Sequence, residues 1–116
     1  KANCGRNGTL VKRKIEEVAE GVFIEPMPIT AGETVRVKYK GKLANQAGKV
    51  YLHMGFGRGN WHSVQDIPMR KTRDGAWNTN VEVIDAESAL NFCFRSESNV
   101  WDNNNGMNWI LEVHNG

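Results

Sequence analysis

A chain of 116 residues is one domain's worth, enough to bury roughly two thirds of its unfolded surface in one core and too few for two such cores. Hydrophobic residues make up 40% and charged residues 24%, the balance of a soluble globular domain, which excludes disorder. A net charge of +2, from 15 basic and 13 acidic residues, sets up no field that would recruit nucleic acid or anionic lipid, and no run approaches the ~20 apolar residues of a membrane span.

The chain begins at Lys1 without Met and shows no apolar leader, so a fragment or a processed product is expected. Residues 1–30 carry no functional motif and read as an added strand, a linker remnant or part of another contact. The basic cluster Lys12-Arg13-Lys14 in this stretch reads as a solvated face, as does the one from Lys38 to Lys42. Val11, Ile15, Val18 and Ala19 fall at helical spacing, but Val22 to Ile24 follows at once, and we read a first strand and a hairpin here.

From residue 34 onward period-two alternation governs the chain. Val35, Val37 and Tyr39 alternate with Arg36, Lys38 and Lys40, and Val50, Leu52 and Met54 with Tyr51, His53 and Gly55. Trp77, Thr79, Val81 and Val83 form another such face, then Leu90, Phe92 and Phe94 against Asn91, Cys93 and Arg95, and last Trp109, Leu111 and Val113. Turn signals separate these runs at 26–28, 31–32, 46–48 and 57–60, and Asp74-Gly75 predicts a tight hairpin between 69–73 and 76–83. Short strands at this spacing predict an all-β chain, a β-sandwich of about eight to ten strands. Tyr39, Leu52, Met54, Trp77, Val81, Phe92, Phe94, Trp109 and Leu111 are its expected core. Cys4 and Cys93 leave one disulfide or two thiols open, and two cysteines exclude a disulfide scaffold.

Three flat rings stand apart from that core. His53 alternates with Leu52 and Met54 and therefore points outward. Trp61 follows the loop GFGRGN, whose glycines are a poor scaffold for burying an indole, and Trp101 lies in VWDNNNGMNW at 100–109, beside side chains that carry amides or a carboxylate.

The runs YLHMGFGRGNW at 51–61, MRKTRDGAW at 69–77 and LNFCFRSESNVWDNNNGMNW at 90–109 together resemble the starch-binding carbohydrate-binding modules of family 25 and its plant-type relative, family 53. The resemblance covers about 34–113 of a single 1–116 domain. It rests on an outward His in Y-x-H-x-G, a Trp after a Gly/Asn loop, a GxW strand after a hairpin, and a WDNN loop before the last strand. It implies an immunoglobulin-like β-sandwich, binding of α-1,4-linked glucans such as starch, glycogen or maltooligosaccharides, and a sugar platform made of His53, Trp61 and Trp101. It also implies an attached or associated glycoside-active enzyme, and an extracellular location, with cytoplasmic glycogen binding as the alternative.

The chemistry of the residues points the same way. A glucose ring offers an apolar C–H face and a rim of hydroxyls, so its binder needs flat apolar surfaces and fixed amides. Because an α-1,4 chain curves, two indoles held at an angle can each cover a successive unit. Asn103 and Asn104 are the candidates for bonding vicinal hydroxyls, with turn formation as the competing role; Lys71 is a further candidate, and Asp102 reads equally as a turn-former.

Other functions fit less well. The carboxylates form no visible pair on a cleft, and Cys4, Cys93, Ser63 and the histidines show no nucleophile-and-base pattern, so no enzyme is expected. A calcium loop starting at Asp102 would need ligands where Gly106 and Val113 stand, His53 and His62 lack zinc spacing, and neither metal nor cofactor is expected. An immunoglobulin-like adhesion or protein-interaction module is the alternative, since exposed Trp residues also make protein hot spots.

Overall fold

A computed structural model describes residues 14–84 and 89–114. Cys4 and the basic residues before Lys14 lie outside them, so the open question of a Cys4–Cys93 pair is met only from one side: Cys93 is a buried free thiol.

The described residues begin with the hairpin read from the sequence, β1 (Lys14–Ala19) and β2 (Val22–Met27), and Val11 of that reading lies outside them. Then come β3 (Thr34–Tyr39), β4 (Val50–Phe56), β5 (His62–Pro68), β6 (Arg70–Lys71), β7 (Trp77–Glu82), β8 (Ala89–Ser96), β9 (Trp101–Asp102) and β10 (Trp109–Glu112). One antiparallel sheet has the order β1-β2-β3-β7-β6, and the other β10-β8-β4-β5 with β9 on β8. Without β1, these are the strand orders A-B-E-D and G-F-C-C′ of an immunoglobulin-like sandwich. A parallel bridge from Thr30 to His114 ties the end of the A-like segment to the last strand.

Alternation decides which faces meet. Val22, Ile24, Val35, Val37, Tyr39 and Val81 from the first sheet are buried against Leu52, Met54, Phe56, Leu90, Phe92 and Phe94 of the second. Each such side chain gains about 1.5–3 kcal/mol by leaving water. Tyr39 stacks on Phe94 at 4.0 Å between centroids, and Phe92 meets Phe94 edge-on at 5.9 Å. Trp77 is buried as expected, its Nε1–H donating to the Ala44 carbonyl at 3.0 Å. Trp109 and Leu111, expected in the core, are only half-buried. They sit on the sheet's edge strand, where Trp109 packs on Phe92 and Phe94 from one side alone.

β8 departs from the half-buried pattern in the other direction. Asn91 and Cys93, on its outward face, are 4% and 3% exposed, because loops and side chains fold over the centre of this sheet. That covering layer is the candidate site.

Candidate functional site

On the outward face of the second sheet the register places His53 of β4 between Asp66 of β5 and Cys93 of β8. Tyr51 and Arg95 are the next pair on one side, and Gly55 and Asn91 on the other. Trp101, paired with Arg95, points outward from the edge. Trp61 lies flat over Gly55. A Cβ at residue 55 would come within 2.9 Å of Trp61 Cβ and 3.0 Å of its Cε3, so the glycine of Y-x-H-x-G is what lets the indole lie on the sheet.

His53 is thereby flanked by two indoles. Its ring centroid is 5.6 Å from that of Trp61, tilted by 34°, and 5.3 Å from that of Trp101, edge-on at 85°. Those angles differ too much for the two indoles to be coplanar. Trp101 is 40% exposed, and Trp61 and His53 are half-buried, so all three keep part of their surface for a ligand.

The imidazole is fixed from beneath. Its Nδ1 lies 2.6 Å from Asp66 Oδ1, and Arg95 donates to the other Asp66 oxygen at 3.4 Å while its guanidinium stacks over Tyr51 at 4.3 Å. Burial would raise the Asp66 carboxyl, but the hydrogen bond and charge of His53, with the charge of Arg95, outweigh it and hold the group below the usual carboxylate range. An ionised carboxylate only accepts, so Nδ1 carries a proton and donates to Asp66, while Nε2 is bonded to no group among the described residues. Cys93, under this layer, is pushed up to about 11 by burial and by the nearby Asp66 and Asp102 charges, which leaves it a neutral thiol at ordinary pH.

The Asn-rich loop is an insertion in the edge strand. Asp102 pairs with Phe94 and Trp109 with Phe92, so residues 103–108 stand opposite Cys93 alone and must bulge out. Asn104, Asn105 and Asn108 have φ of 57°, 57° and 58°, and Gly106 has 88°, left-handed conformations that Asn and Gly tolerate best. Asn103 Oδ1 accepts from Gly106 N at 2.9 Å and Asn104 Nδ2 donates to the Asn108 carbonyl at 2.9 Å. Each amide thus uses one end to hold the turn. The Asn103 Nδ2 and Asn104 Oδ1 ends make no hydrogen bond among the described residues, so the sequence's two readings of these residues are compatible.

Asp102 has a structural role, accepting from the Tyr39 hydroxyl at 2.5 Å, and that hydroxyl in turn accepts from Leu43 N at 3.1 Å. Lys71 is placed elsewhere, on β6 in the first sheet, with its ammonium 5.8 Å from the Trp77 ring, and it is not among the groups that touch His53. Asp66 and Arg95 are the supporting residues that sequence reasoning did not single out, while Tyr51 and Gly55 entered it only as the first and last residues of Y-x-H-x-G. The cross-strand register from His53 would have found Asp66, had β5 been read as a strand.

Outward rings at an angle, a pinned imidazole and amides on an adjacent loop, carried on an immunoglobulin-like sandwich, are the features of a carbohydrate-binding module. The model of the family described as starch/carbohydrate-binding module (family 53) matches residues 35–92, half of the chain, and the chain belongs to that family. It is an α-glucan-binding module of the starch type. The chain is also similar to an α-amylase of Clostridium acetobutylicum, 36% identical over 85 residues, which is 73% of this chain and 11% of the amylase. No solved structure matches it.

Proposed function

We propose that the chain binds α-1,4-glucan on the outward face of the second sheet, with Trp61 and Trp101 each stacking on the apolar face of a glucose unit and His53 between them bonding a hydroxyl at Nε2. The observation that carries this reading is the placement of two non-coplanar indoles within 5.6 Å of one imidazole, centroid to centroid, on a rigid strand. Asn103 and Asn104 offer their outward amide ends to vicinal hydroxyls from the loop beside the platform. Lys71 is a separate polar contact, and on its strand in the other sheet it would meet only a chain long enough to leave the platform.

The module acts without catalysis, holding an attached or associated α-glucan-active enzyme on its polymer. The likeness to a small part of a much longer amylase supports such an attachment. Asp66, the carboxylate bonded to His53, is held ionised by its partners and so has no proton to give a leaving group at neutral pH.

Retention on starch, glycogen, cellulose and xylan, measured in parallel, tests this function. The expected result is retention on starch and glycogen, released by maltooligosaccharide, with no sugar set free. Retention on cellulose alone would contradict it.

A further inference from the structure

Beyond Trp61 the outward face does not end. A groove of about 410 Å³ runs from the indole of Trp61 toward the edge strand, with Asn91 on its floor and Met107, Asn108 and Ile110 along its far wall. The Arg58–Glu112 ion pair also lines it. Met107 is 74% exposed and Ile110 59%, an apolar rim with no packing role in the sandwich core. Trp61 belongs to both the groove and the platform, so the two surfaces are continuous.

Asn91 is the second observation. It is 4% exposed, its Nδ2 donates to the Gly57 carbonyl at 2.8 Å and lies 3.4 Å from that of Gly55, and its Oδ1 receives no hydrogen bond from the described residues. A buried carbonyl without a donor is unfavourable, and the groove that Asn91 lines is where a donor would come from. A hydroxyl meets that need and an apolar ligand does not. Apolar surface from Trp61, Met107 and Ile110 with an acceptor at the floor matches a sugar ring's C–H faces and hydroxyl rim.

We infer that this groove is an additional subsite for the α-glucan chain, taking the unit that continues past Trp61 and giving the module a preference for long chains over short ones. The inference rests on the platform reading above. Short maltooligosaccharides occupy the platform alone, and longer ones lay a further unit against Met107 and Ile110 with a hydroxyl donating to Asn91 Oδ1.

Calorimetric titration with maltotriose and maltoheptaose tests it, on the wild type, on the double variant Met107→Ser/Ile110→Thr and on Trp101→Ala. Both groove substitutions fall on exposed side chains, and Thr keeps the strand preference at residue 110, so folding is retained; circular dichroism of the variant checks this. The expected result is that the groove variant loses about fivefold or more in affinity for maltoheptaose and keeps that for maltotriose, while Trp101→Ala loses both. A groove variant that matches the wild type at both lengths, with Trp101→Ala losing both, overturns the subsite and leaves the platform standing. A Trp101→Ala variant that loses neither overturns the platform and the extension with it.

Discussion

Asp66 does for His53 what a buried residue's packing does for a core ring: it removes the freedom to turn. The pair is partly exposed, with side chains 28% and 41% accessible, so it contributes at most about 1 kcal/mol to folding. On the proposed platform, its value lies in presenting Nε2 in one orientation. Asp66→Ala is therefore expected to lower maltooligosaccharide affinity roughly fivefold while the melting temperature barely moves, as read by titration and thermal unfolding side by side. At this scale the sequence was informative about chemistry and silent about support. His53 could be placed outward by alternation, and the indoles by their settings in Gly- and Asn-rich loops. Gly55 was visible as the glycine of Y-x-H-x-G but without a reason, because the need for it comes from an indole six residues on that folds back over the strand. Asn103 and Asn104 posed a choice between turn and ligand that their two-ended amides make unnecessary.

Between elements, the Tyr39–Asp102 bond joins β3 of one sheet to the short β9 of the other, next to Trp101. Burial, and then the hydrogen bond to Asp102, hold the Tyr39 hydroxyl well above its usual 10.0. A raised acid keeps its proton in the folded chain where the unfolded chain has lost it, so its stabilising contribution is full below pH 10.0 and is lost as pH climbs through the folded value. Stability is expected to fall with rising pH above that point, and Tyr39→Phe, which cannot ionise, is expected to flatten the slope while costing about 1–3 kcal/mol at neutral pH through the unpaired Asp102 oxygen and Leu43 N–H. Denaturant unfolding of both proteins across the alkaline range checks this.

Strand legibility followed burial. β3, β4, β7 and β8 could be read because one face of each is apolar at almost every second residue, with Thr79 of β7 an exception. β5, HSVQDIP, could not, since it is an edge strand exposed along almost its whole length and carries no alternation to detect. The Asp74-Gly75 hairpin was legible from its turn chemistry, and Asp74 does accept from Thr72 and from Ala76 N.

For the whole molecule, four carboxylates share a direction. Glu112 is lowered by Arg58, Asp74 by Thr72 and Lys38, Glu97 by backbone N–H groups, and Asp66 by His53 and Arg95 against its own burial. A lowered carboxyl stabilises the fold above the ordinary values of 3.8 for Asp and 4.5 for Glu, and that stabilisation is lost as pH falls through the folded values. The module is expected to weaken in acid below about pH 4, with the melting temperature falling progressively and glucan affinity declining with it as Asp66 takes up a proton and releases His53. The sandwich as a class was visible in the spacing of short strands, and its pairing order was not, because which strands become neighbours depends on long-range contacts that no local pattern records.

The central claim is that the outward indoles are a ligand surface and not part of the scaffold. It is tested most directly by Trp101→Ala beside Trp77→Ala, each followed by thermal unfolding and by maltooligosaccharide titration. Stacking and desolvation of one indole on a sugar are worth on the order of 1–3 kcal/mol, so Trp101→Ala is expected to lose roughly tenfold to a hundredfold in affinity with its melting temperature nearly kept. Trp77→Ala, emptying a buried site, is expected to lose about 3–5 kcal/mol of stability. A large fall in melting temperature for Trp101→Ala, with sugar affinity retained, would contradict the account.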